Sequence, residues 1–283
     1  MEFEKMAINT LKAFEPDDGY ILAYSGGKDS DVILALADIA NVKYKAVHNL
    51  TTVDAPETIN YIKSKGIGFN FPEMSMWRLI EKKMMPPTRI ARYCCMFFKE
   101  NNNLGKLIIT GVRKAESNNR KINGGVVKII GKPKGTQKIA DKNDTKYFIS
   151  NQGGLILNDD NDNSRRTVEM CYRTRKTLVN PIVDWSDEQL FEFIKGYEMK
   201  LNPLYSCGFN RIGCIGCPLG SYQNRKKELA RYPQYNKNYI KAFDRMIANR
   251  NKNQKPTSWQ NGKEVMKWWL EEDPNQISLF EEE

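Results

Sequence analysis

The sequence has no long run of apolar residues. No run approaches the ~20 residues that a helix needs to cross a bilayer, which excludes a membrane-spanning helix. The first residues, Met1-Glu2-Phe3-Glu4-Lys5, are acidic and amphipathic and do not resemble a secretory signal. We therefore expect a cytoplasmic protein with no membrane partner.

Histidine is almost absent, because His48 is the only one among 283 residues. It ends a predicted strand, where two roles are open: contact with a ligand, or a structural role.

Charged residues are plentiful by contrast. The net charge is +10, with 28% charged and 40% hydrophobic residues, so a soluble protein with a real core is expected. The positive excess favours polyanionic partners such as nucleotides or nucleic acid.

The most informative stretch is a short glycine turn. The apolar run Tyr20-Ile21-Leu22-Ala23-Tyr24 predicts a buried strand, and the apolar spacing after Asp31 predicts a packed helix. The residues between them are Ser25, Gly26, Gly27, Lys28, Asp29 and Ser30, which we call the cradle. Its glycines let backbone N–H groups converge on an oxyanion, and the helix start adds unpaired donors and a positive dipole end.

The polar side chains of the cradle point to the same chemistry. Lys28 supplies a mobile positive charge, and Ser25 and Ser30 supply hydroxyl groups. Asp29 either caps the helix or helps to hold Mg²⁺. The spacing differs from the GxxxxGK[ST] loop, and two glycines alone would favour an ordinary turn before a helix. The combination predicts a phosphate site.

Strands and helices alternate along most of the chain. An amphipathic helix is predicted at 2–14, and further strands at 42–48, 66–71 and 106–111, with helices between them. This alternation predicts an α/β fold with a doubly wound, mostly parallel sheet. Ligands bind at the carboxyl ends of such strands, where the cradle lies.

Residues 121–178 interrupt the alternation. Glycines, short β-prone runs and a stretch rich in Asn and Asp predict an inserted β-hairpin excursion, either a specificity lid or surface decoration. Helical segments near 236–250 and 260–270 predict a C-terminal helical appendage. We therefore divide the chain into a nucleotide-binding domain at 1–222, which includes the insertion 121–178, and an appendage with a loosely held tail at 223–283.

Four of the six cysteines form two close pairs, the adjacent Cys94 and Cys95 and the CxxC turn of Cys214 and Cys217. Four thiolates suit either zinc or an iron–sulfur cluster. Adjacent cysteines bind a single zinc ion only under strain, whereas the separate iron corners of a cubane accept them. Free or buried thiols remain the third possibility.

The other two cysteines have no such partner in the sequence. Cys207 precedes Cys214 by seven residues and can replace one member of the tandem pair. Cys171 lies in the excursion and is expected to be a lone thiol.

The cradle resembles the SGGKDS signature of the PP-loop nucleotide enzymes. Further family-like pieces follow in one order, with Cys94-Cys95, Gly111-Val112-Arg113-Lys114-Ala115-Glu116-Ser117, Arg120, Asn180-Pro181-Ile182-Val183-Asp184-Trp185-Ser186, Asn202-Pro203-Leu204-Tyr205 and the Cys214 to Cys217 turn. Together they resemble the phosphoadenosine phosphosulfate (PAPS) reductase family, in its cluster-bearing, adenylylsulfate-reductase-like branch. The resemblance covers roughly residues 18 to 222 apart from the excursion.

The resemblance implies an adenine nucleotide, ATP or PAPS, in the cradle. Lys28, Asp29 and Arg113 are then the expected catalytic residues. Arg120 joins the cradle as a nucleotide-binding residue, because guanidinium groups suit sulfate and phosphate.

The resemblance also implies a metal cofactor. In that branch the two cysteine pairs hold a [4Fe-4S] cluster, which implies the ligands Cys94, Cys95, Cys214 and Cys217. Arg92 and Lys99 lie next to the tandem pair in the sequence, where a sulfate or phosphate would need positive charge.

One part of the family pattern is missing. Sulfonucleotide reductases use a nucleophilic cysteine in a carboxy-terminal segment resembling Glu-Cys-Gly-Leu-His, and no cysteine follows Cys217. Reduction by that route then needs the thiol of Cys207 or Cys171.

Other PP-loop enzymes cleave ATP between its α- and β-phosphates and adenylylate a substrate for attack by sulfur or nitrogen. Cluster-bearing members include DNA phosphorothioation enzymes.

Three functions follow, in order of preference. The first is an enzyme that activates a substrate by adenylylation in sulfur chemistry linked to DNA. The second is a sulfonucleotide reductase that releases sulfite. The third is a non-catalytic nucleotide- or DNA-binding accessory of the replisome.

The tail carries a possible link to replication. Gln276-Ile277-Ser278-Leu279-Phe280 resembles the QxxLF peptide by which bacterial proteins bind the replicative sliding clamp. Gln276, Leu279 and Phe280 are the expected contacts, and the alternative is a tail that packs Leu279 and Phe280 onto its own domain.

Overall fold

The computed structural model describes residues 1–100, 103, 105–131, 133–151, 153–255 and 257–271. The chain divides into two compact units, each built from three separate segments. Unit 1 comprises the described residues within Met1–His48, Asn60–Phe69 and Asn102–Tyr205, and unit 2 those within Asn49–Ile59, Asn70–Asn101 and Ser206–Glu283. The units do not follow the order of the chain, and the domain division at residue 222 stays a prediction.

Helices and strands alternate as the sequence predicts. The helices are α1 Glu2–Ala13, α2 Lys28–Ala40, α3 Pro56–Ser64, α4 Met76–Lys83, α5 Tyr93–Cys95, α6 Asn118–Asn123, α7 Pro133–Lys142, α8 Asp162–Tyr172, α9 Asp187–Gly196, α10 Tyr222–Arg231, α11 Pro233–Lys252 and α12 Gly262–Trp269. A π-helical turn at Met96–Glu100 continues α5, and a 3₁₀ turn at Lys114–Glu116 precedes α6. The strands are β1 Tyr20–Ala23, β2 Tyr44–Asn49, β3 Gly68–Asn70, β4 Leu107–Ile109, β5 Val127–Ile130, β6 Phe148–Ile149, β7 Leu155–Leu157 and β8 Lys176–Val179.

The strands form one eight-stranded sheet in the order β3-β2-β1-β4-β8-β5-β7-β6. β1 pairs in parallel with β2 and with β4, and β4 pairs in parallel with β8. The chain runs outward from β1 to β2 and β3, then returns to place β4 on the other side of β1. The strand order therefore reverses at β1 and β4, and in open α/β sheets ligands bind at such a reversal.

The excursion at 121–178 extends this sheet. β5 runs antiparallel to β8 and to β7, and β6 runs antiparallel to β7. α7 packs on α8, and α8 lies against β5 and β8. The predicted α/β fold with a mostly parallel sheet is confirmed, and the excursion supplies its antiparallel edge.

The core of unit 1 lies around the central strands. β1 and β4 contribute Leu22 and Ile109, which are fully buried, and α2 contributes Val32, Ile33 and Leu36. α1 packs on α2, and α2 on α9. Because β1 and α2 are both anchored in this core, the turn that joins them has a fixed position.

Unit 2 is largely helical. α11 packs along α4 and α12 and also contacts α10. The ring of Tyr239 on α11 lies 4.9 Å from the ring of Trp77 and 4.8 Å from that of Trp269. The predicted C-terminal helical segments are thus present and share an aromatic core. Among the described residues, no helix combines the length and apolar character needed to cross a bilayer.

Candidate functional site

The cradle joins the end of β1 to the start of α2. Gly26 has φ +76°, a left-handed conformation that a residue with a Cβ rarely adopts. Gly27 is extended at φ −99° and is the N-cap residue of α2. The first turn of this 13-residue helix therefore presents its backbone N–H groups and positive dipole end at the glycine turn.

Two serine hydroxyls hold the shape of the cradle. The Ser30 hydroxyl donates to the Gly27 carbonyl at 2.7 Å and accepts from the Gly27 N–H at 3.1 Å. Ser25 Oγ lies 3.2 Å from Ser30 Oγ. A hydroxyl that both donates and accepts within one turn fixes the direction of the N–H groups, which favours binding of an anion in one geometry.

Residues 202–205 contact the cradle from elsewhere in unit 1. The Asn202 side-chain amide donates to the Gly26 carbonyl at 3.0 Å. The Tyr205 hydroxyl accepts from the Lys28 N–H at 2.9 Å, a donor that an oxyanion would use. In the sequence, this segment is only one of the family-like pieces, and no contact with the cradle was predicted for it. The separation of 177 residues between Lys28 and Tyr205 gives no local signal of the contact.

Asp29 lies between two cations. Its Oδ2 is 3.4 Å from the Lys28 ammonium, and its Oδ1 accepts from Arg113 Nε at 2.6 Å. Arg113 is 1% exposed and also donates from Nη2 to Asp187 at 2.8 Å. Burial alone would lower the pKa of Arg113, but its hydrogen bonds to the two carboxylates raise it. The expected catalytic residues Lys28, Asp29 and Arg113 are thus in contact.

This arrangement bears on the predicted roles of Asp29 and Arg113. The Arg113 guanidinium fixes the Asp29 carboxylate and shares its charge with two carboxylates. A Mg²⁺ ion at Asp29 would have to compete with two cations, and its presence stays a prediction.

A second glycine lies against the cradle. Gly111 follows β4, and a Cβ added there would lie 2.9 Å from the Asp29 carbonyl oxygen. Such a contact is too close for any side chain, so glycine lets the loop after β4 approach the loop after β1. The cradle therefore lies at the point where the strand order reverses.

A buried carboxylate supports the cradle from inside unit 1. Asp31 is 2% exposed, and its Oδ1 accepts a short hydrogen bond from Tyr24, the residue before Ser25. Its Oδ2 accepts from the Tyr61 hydroxyl at 3.0 Å. Burial raises the pKa of Asp31 to about 6, although the hydrogen bonds from the tyrosines act in the opposite direction. Sequence reasoning missed this group, since an Asp in the first turn of a helix is ordinary.

Arg120 is placed on the short helix α6. It forms an ion pair with Glu116, one turn earlier, and its side chain is about one-third exposed at 34%. Glu116 Oε2 also accepts from the Arg113 N–H at 3.1 Å. Arg120 therefore belongs to the loop that carries Arg113, and its contact with a nucleotide stays a prediction.

The four paired cysteines all lie in unit 2. Cys94 and Cys95 end helix α5, and an antiparallel bridge joins Cys214 to Asp54. The Cys217 N–H donates to the Cys214 carbonyl at 3.1 Å, which closes the CxxC turn. These are two segments that the sequence separates by more than 100 residues.

The thiols interact with one another. The pKa of Cys94 is raised by its hydrogen bond to Cys95 and by burial, then by the charges of Cys95, Cys214 and Cys217. The pKa of Cys95 is lowered by the hydrogen bond from Cys94, with help from the positive charge of Lys99. The charges of the other three paired thiols thus act on Cys94, and four thiolates are the donor set that an iron–sulfur cluster uses.

Two neighbouring residues, Lys99 and Thr51, interact with these thiols, the first through its charge and the second through a hydrogen bond. The charge of Cys214, followed by that of Asp54, raises the pKa of Lys99. Cys214 Sγ lies 3.5 Å from the Thr51 hydroxyl. Among the described residues, no group of three His, Cys, Asp or Glu side chains is arranged to hold a metal ion. Four thiolates are the donor set of an iron–sulfur cluster as well as of zinc, and the cluster stays a prediction.

The remaining cysteines have other surroundings. Cys171 is fully buried in the core of unit 1, and burial raises the pKa of its thiol. Cys207 is exposed in unit 2, with Arg231 Nη2 at 3.7 Å from its sulfur.

His48 is buried, and its Nδ1 lies 2.9 Å from the Tyr24 carbonyl oxygen. This contact ties the single histidine to the strand that precedes the cradle. The predicted clamp-binding residues Gln276, Leu279 and Phe280 lie outside the described residues.

Comparison with known proteins agrees with the cradle and the sheet. The family model described as the phosphoadenosine phosphosulfate reductase domain matches residues 19–219. The chain is 26% identical over 263 residues to an uncharacterized protein of Methanocaldococcus jannaschii, covering 86% of this chain and 53% of that protein. It is also 38% identical over 39 residues to the adenosine 5'-phosphosulfate reductase of Allochromatium vinosum, which is 14% of this chain and 15% of that enzyme.

One solved structure aligns with this chain at low identity. The phosphoadenylyl-sulfate reductase of Candida auris, in complex with phosphate, aligns with a TM-score of 0.43 and 14% identity over 75% of this chain and 92% of that one. The chain spans about half the length, 53%, of the archaeal relative. Because the family model covers most of the chain, from the start of β1 to the CxxC turn, this protein belongs to the phosphoadenosine phosphosulfate reductase family and has its PP-loop nucleotide-binding fold.

Proposed function

We propose that this PP-loop enzyme binds ATP in the cradle and cleaves it between the α- and β-phosphates, transferring the adenylyl group to a substrate in sulfur chemistry. One observation carries the proposal. A glycine turn with an adjacent lysine, at the start of α2, lies at the reversal point of the sheet beside Gly111. Backbone donors and a mobile ammonium at this position suit a leaving pyrophosphate.

Each cradle residue has a role in this reaction. The Lys28 N–H binds a phosphate oxygen in place of Tyr205, and the Lys28 ammonium neutralises charge that develops on the leaving pyrophosphate. Ser30 holds Gly27 in the turn against which the phosphate lies, and the Ser25 hydroxyl is the further donor proposed for it. A nucleophile of the substrate attacks the α-phosphorus, the bond to the bridging oxygen breaks, and pyrophosphate leaves with the electron pair.

Asp29 and Arg113 are proposed to set the position of the Lys28 ammonium. Arg113 is buried and bound to two carboxylates, so it holds Asp29 beside Lys28. An ammonium whose position is set by a fixed carboxylate loses less entropy when it binds the phosphate. Arg120 is the further group proposed to contact the nucleotide.

The cysteines supply the link to sulfur. Cys94, Cys95, Cys214 and Cys217 are the proposed ligands of a [4Fe-4S] cluster, supported by their shared location in unit 2 and by the effect of the other three thiols on the pKa of Cys94. When bound, such a cluster supplies electron-transfer or sulfur chemistry. The natural acceptor of the adenylyl group is proposed to be linked to DNA, because the cluster-bearing group that the sequence resembles includes DNA phosphorothioation enzymes.

The test offers ATP and PAPS in parallel to anaerobically purified protein. Release of pyrophosphate from ATP, abolished in Lys28→Met and retained in the matched Lys12→Met variant on α1, is the expected result. Binding of ATP without any turnover would instead indicate a non-catalytic accessory protein. Binding of neither nucleotide would overturn the proposal.

Sulfonucleotide reduction is the second candidate, and Cys207 is the observation that favours it. The S-sulfo intermediate of that reaction needs a thiolate that attacks sulfur. Cys207 is exposed, and Arg231 Nη2 lies 3.7 Å from its sulfur. Release of sulfite from PAPS, lost in Cys207→Ser and retained in Cys171→Ser, would select this function over the first.

A further inference from the structure

Positive charge is concentrated in one part of unit 2. From Arg225 to Lys255 the sequence contains ten Lys or Arg residues and only two acidic ones, Glu228 and Asp244. These 31 residues comprise most of α10, all of α11 and the turn that follows. The cradle lies in unit 1, and the ATP cleavage proposed for it uses none of these cations.

Some of these cations hold the fold. Arg225 is buried and donates to the Trp269 carbonyl at 2.6 Å. Arg245 forms an ion pair with Glu81 at 3.3 Å, and Arg250 donates to the Met84 carbonyl at 2.8 Å. Asp244 is also engaged, because its Oδ1 accepts from the Gly262 N–H at 2.6 Å.

Three lysines of α11 remain after these are assigned. Lys237, Lys241 and Lys252 are exposed, and among the described residues none has a carboxylate within the 4.0 Å of an ion pair. At about 100° per residue they lie within about 60° of one another around the helix, and about 22 Å separates the first from the last along it. We call these three residues the lysine face.

The length of the lysine face suits a polyanion with closely spaced charges. Duplex DNA carries one negative charge per about 1.7 Å of its axis. The lysine face, about 22 Å long, would therefore lie alongside on the order of ten phosphates. Lysine binds such oxyanions as a point charge without demanding one geometry, which suits contact with a backbone whatever its sequence.

The surroundings of the face distinguish between classes of polyanion. A helix that binds a membrane surface needs large apolar side chains exposed beside its basic ones. A single-stranded nucleic acid is bound through exposed aromatic rings on which bases stack. Among the described residues of 206–271, no large hydrophobic or aromatic side chain is exposed, and the exposed ones of unit 2, Phe71, Ile90 and Met96, lie in other segments. On α11 itself, both alternatives therefore lack their second component.

We propose that the lysine face of α11 binds the phosphate backbone of a nucleic-acid duplex without reading its sequence. The aromatic residues of this region serve the core of unit 2. Trp269, for example, is 1% exposed and donates from its indole N–H to the Pro87 carbonyl. This binding is independent of turnover in the cradle.

The test measures binding of the full-length protein to a fluorescein-labelled DNA duplex of about two dozen base pairs by fluorescence anisotropy, between about 50 and 200 mM salt. The triple variant Lys237→Gln/Lys241→Gln/Lys252→Gln is compared with wild type. Its matched control is Lys5→Gln/Lys142→Gln/Lys195→Gln, which removes the same charge from three exposed lysines of unit 1.

We expect the slope of log affinity against log salt to fall by about 3 in magnitude in the α11 variant and to stay near wild type in the control. ATP binding should be equal in all three proteins, which separates this result from the fate of the proposed reaction. Equal losses in both variants would overturn the location, because they would report net charge alone. Failure of wild type to bind duplex, or tighter binding to a single strand or to anionic phosphatidylglycerol vesicles, would overturn the proposal.

Discussion

Arg113 Nε lies 2.6 Å from Asp29 Oδ1, and the same guanidinium reaches Asp187 at 2.8 Å. Three residues spread over 159 positions of the sequence thereby share one charge network beside the cradle, with the guanidinium buried and the Asp187 side chain exposed. A buried guanidinium with two carboxylate partners positions other groups rigidly, because moving any member leaves a charge unpaired.

Replacement of Arg113 by Met is expected to lower the free energy of unfolding by about 3 kcal/mol, because Asp29 loses its buried partner. Urea denaturation measures the change. The control is Lys114→Met, which breaks an exposed ion pair with Asp184 and should cost less than about 1 kcal/mol. An equal loss of free energy of unfolding in the two variants would show that the Arg113 network stabilises the fold no more than a surface ion pair does.

Removal of the Tyr205 hydroxyl should strengthen binding of pyrophosphate. The Lys28 N–H now donates to this hydroxyl at 2.9 Å, and in Tyr205→Phe it would be left for an anion. A neutral hydrogen bond contributes about 0.5–1.5 kcal/mol, so we expect affinity to rise about threefold to tenfold. Isothermal titration calorimetry with pyrophosphate measures it.

The matched control for that substitution is Tyr197→Phe, which removes an exposed hydroxyl bound to Glu4. It should leave the affinity unchanged. Weaker binding in Tyr205→Phe alone would mean that the hydroxyl contacts the anion directly.

The ionisation of Asp31 should make stability depend on pH. Its pKa is raised from 3.8 to about 6 in the folded protein, so the folded state binds this proton more tightly than the unfolded chain. The stability that protonation contributes is fully present below about pH 4 and is lost as the pH rises through about 6. Asp31→Asn does not titrate at this position.

We therefore expect the free energy of unfolding of wild type, minus that of Asp31→Asn, to fall by about 3 kcal/mol between about pH 4 and pH 7. Urea titrations at several pH values measure both proteins. A difference that stays constant, or that grows with pH, would contradict the raised pKa of this carboxyl group.

Cysteine substitutions should sort the six thiols into two classes. Serine at Cys94, Cys95, Cys214 or Cys217 should lower iron and acid-labile sulfide in anaerobically purified protein from about four of each per chain. Serine at Cys171 or Cys207 should leave both contents unchanged. Bound zinc without sulfide in wild type would exclude the cluster in favour of a single ion.

The sequence predicted the elements that local patterns control. The apolar run at 20–24 predicted β1 to within a residue. The spacing after Asp31 predicted α2, which begins three residues earlier at Lys28, so that the second half of the cradle forms its first turn. Helix α9 begins after Ser186, because this serine caps it by accepting from the Gln189 N–H. Helix periods, caps and glycine turns act over a few residues, so a single sequence displays them.

Contacts between distant residues were beyond such patterns. The excursion at 121–178 was predicted as a hairpin, but its strands complete the sheet through β8. Nothing local pairs Val127 with Val179, because strand pairing depends on burial of both faces in the folded sheet. Likewise, Arg113 was predicted near a bound oxyanion, and the structure shows that two carboxylates hold its guanidinium.

The sequence by itself determined the family, the α/β fold and a glycine cradle at the end of its first strand. Only the tertiary structure decided which side chains surround that cradle: the Tyr205 hydroxyl on the Lys28 N–H, the Arg113 network, and Asp31 beneath. The physical reason is that burial and pairing of charges depend on residues that become neighbours only when the sheet closes its core, and a linear pattern does not encode those distances.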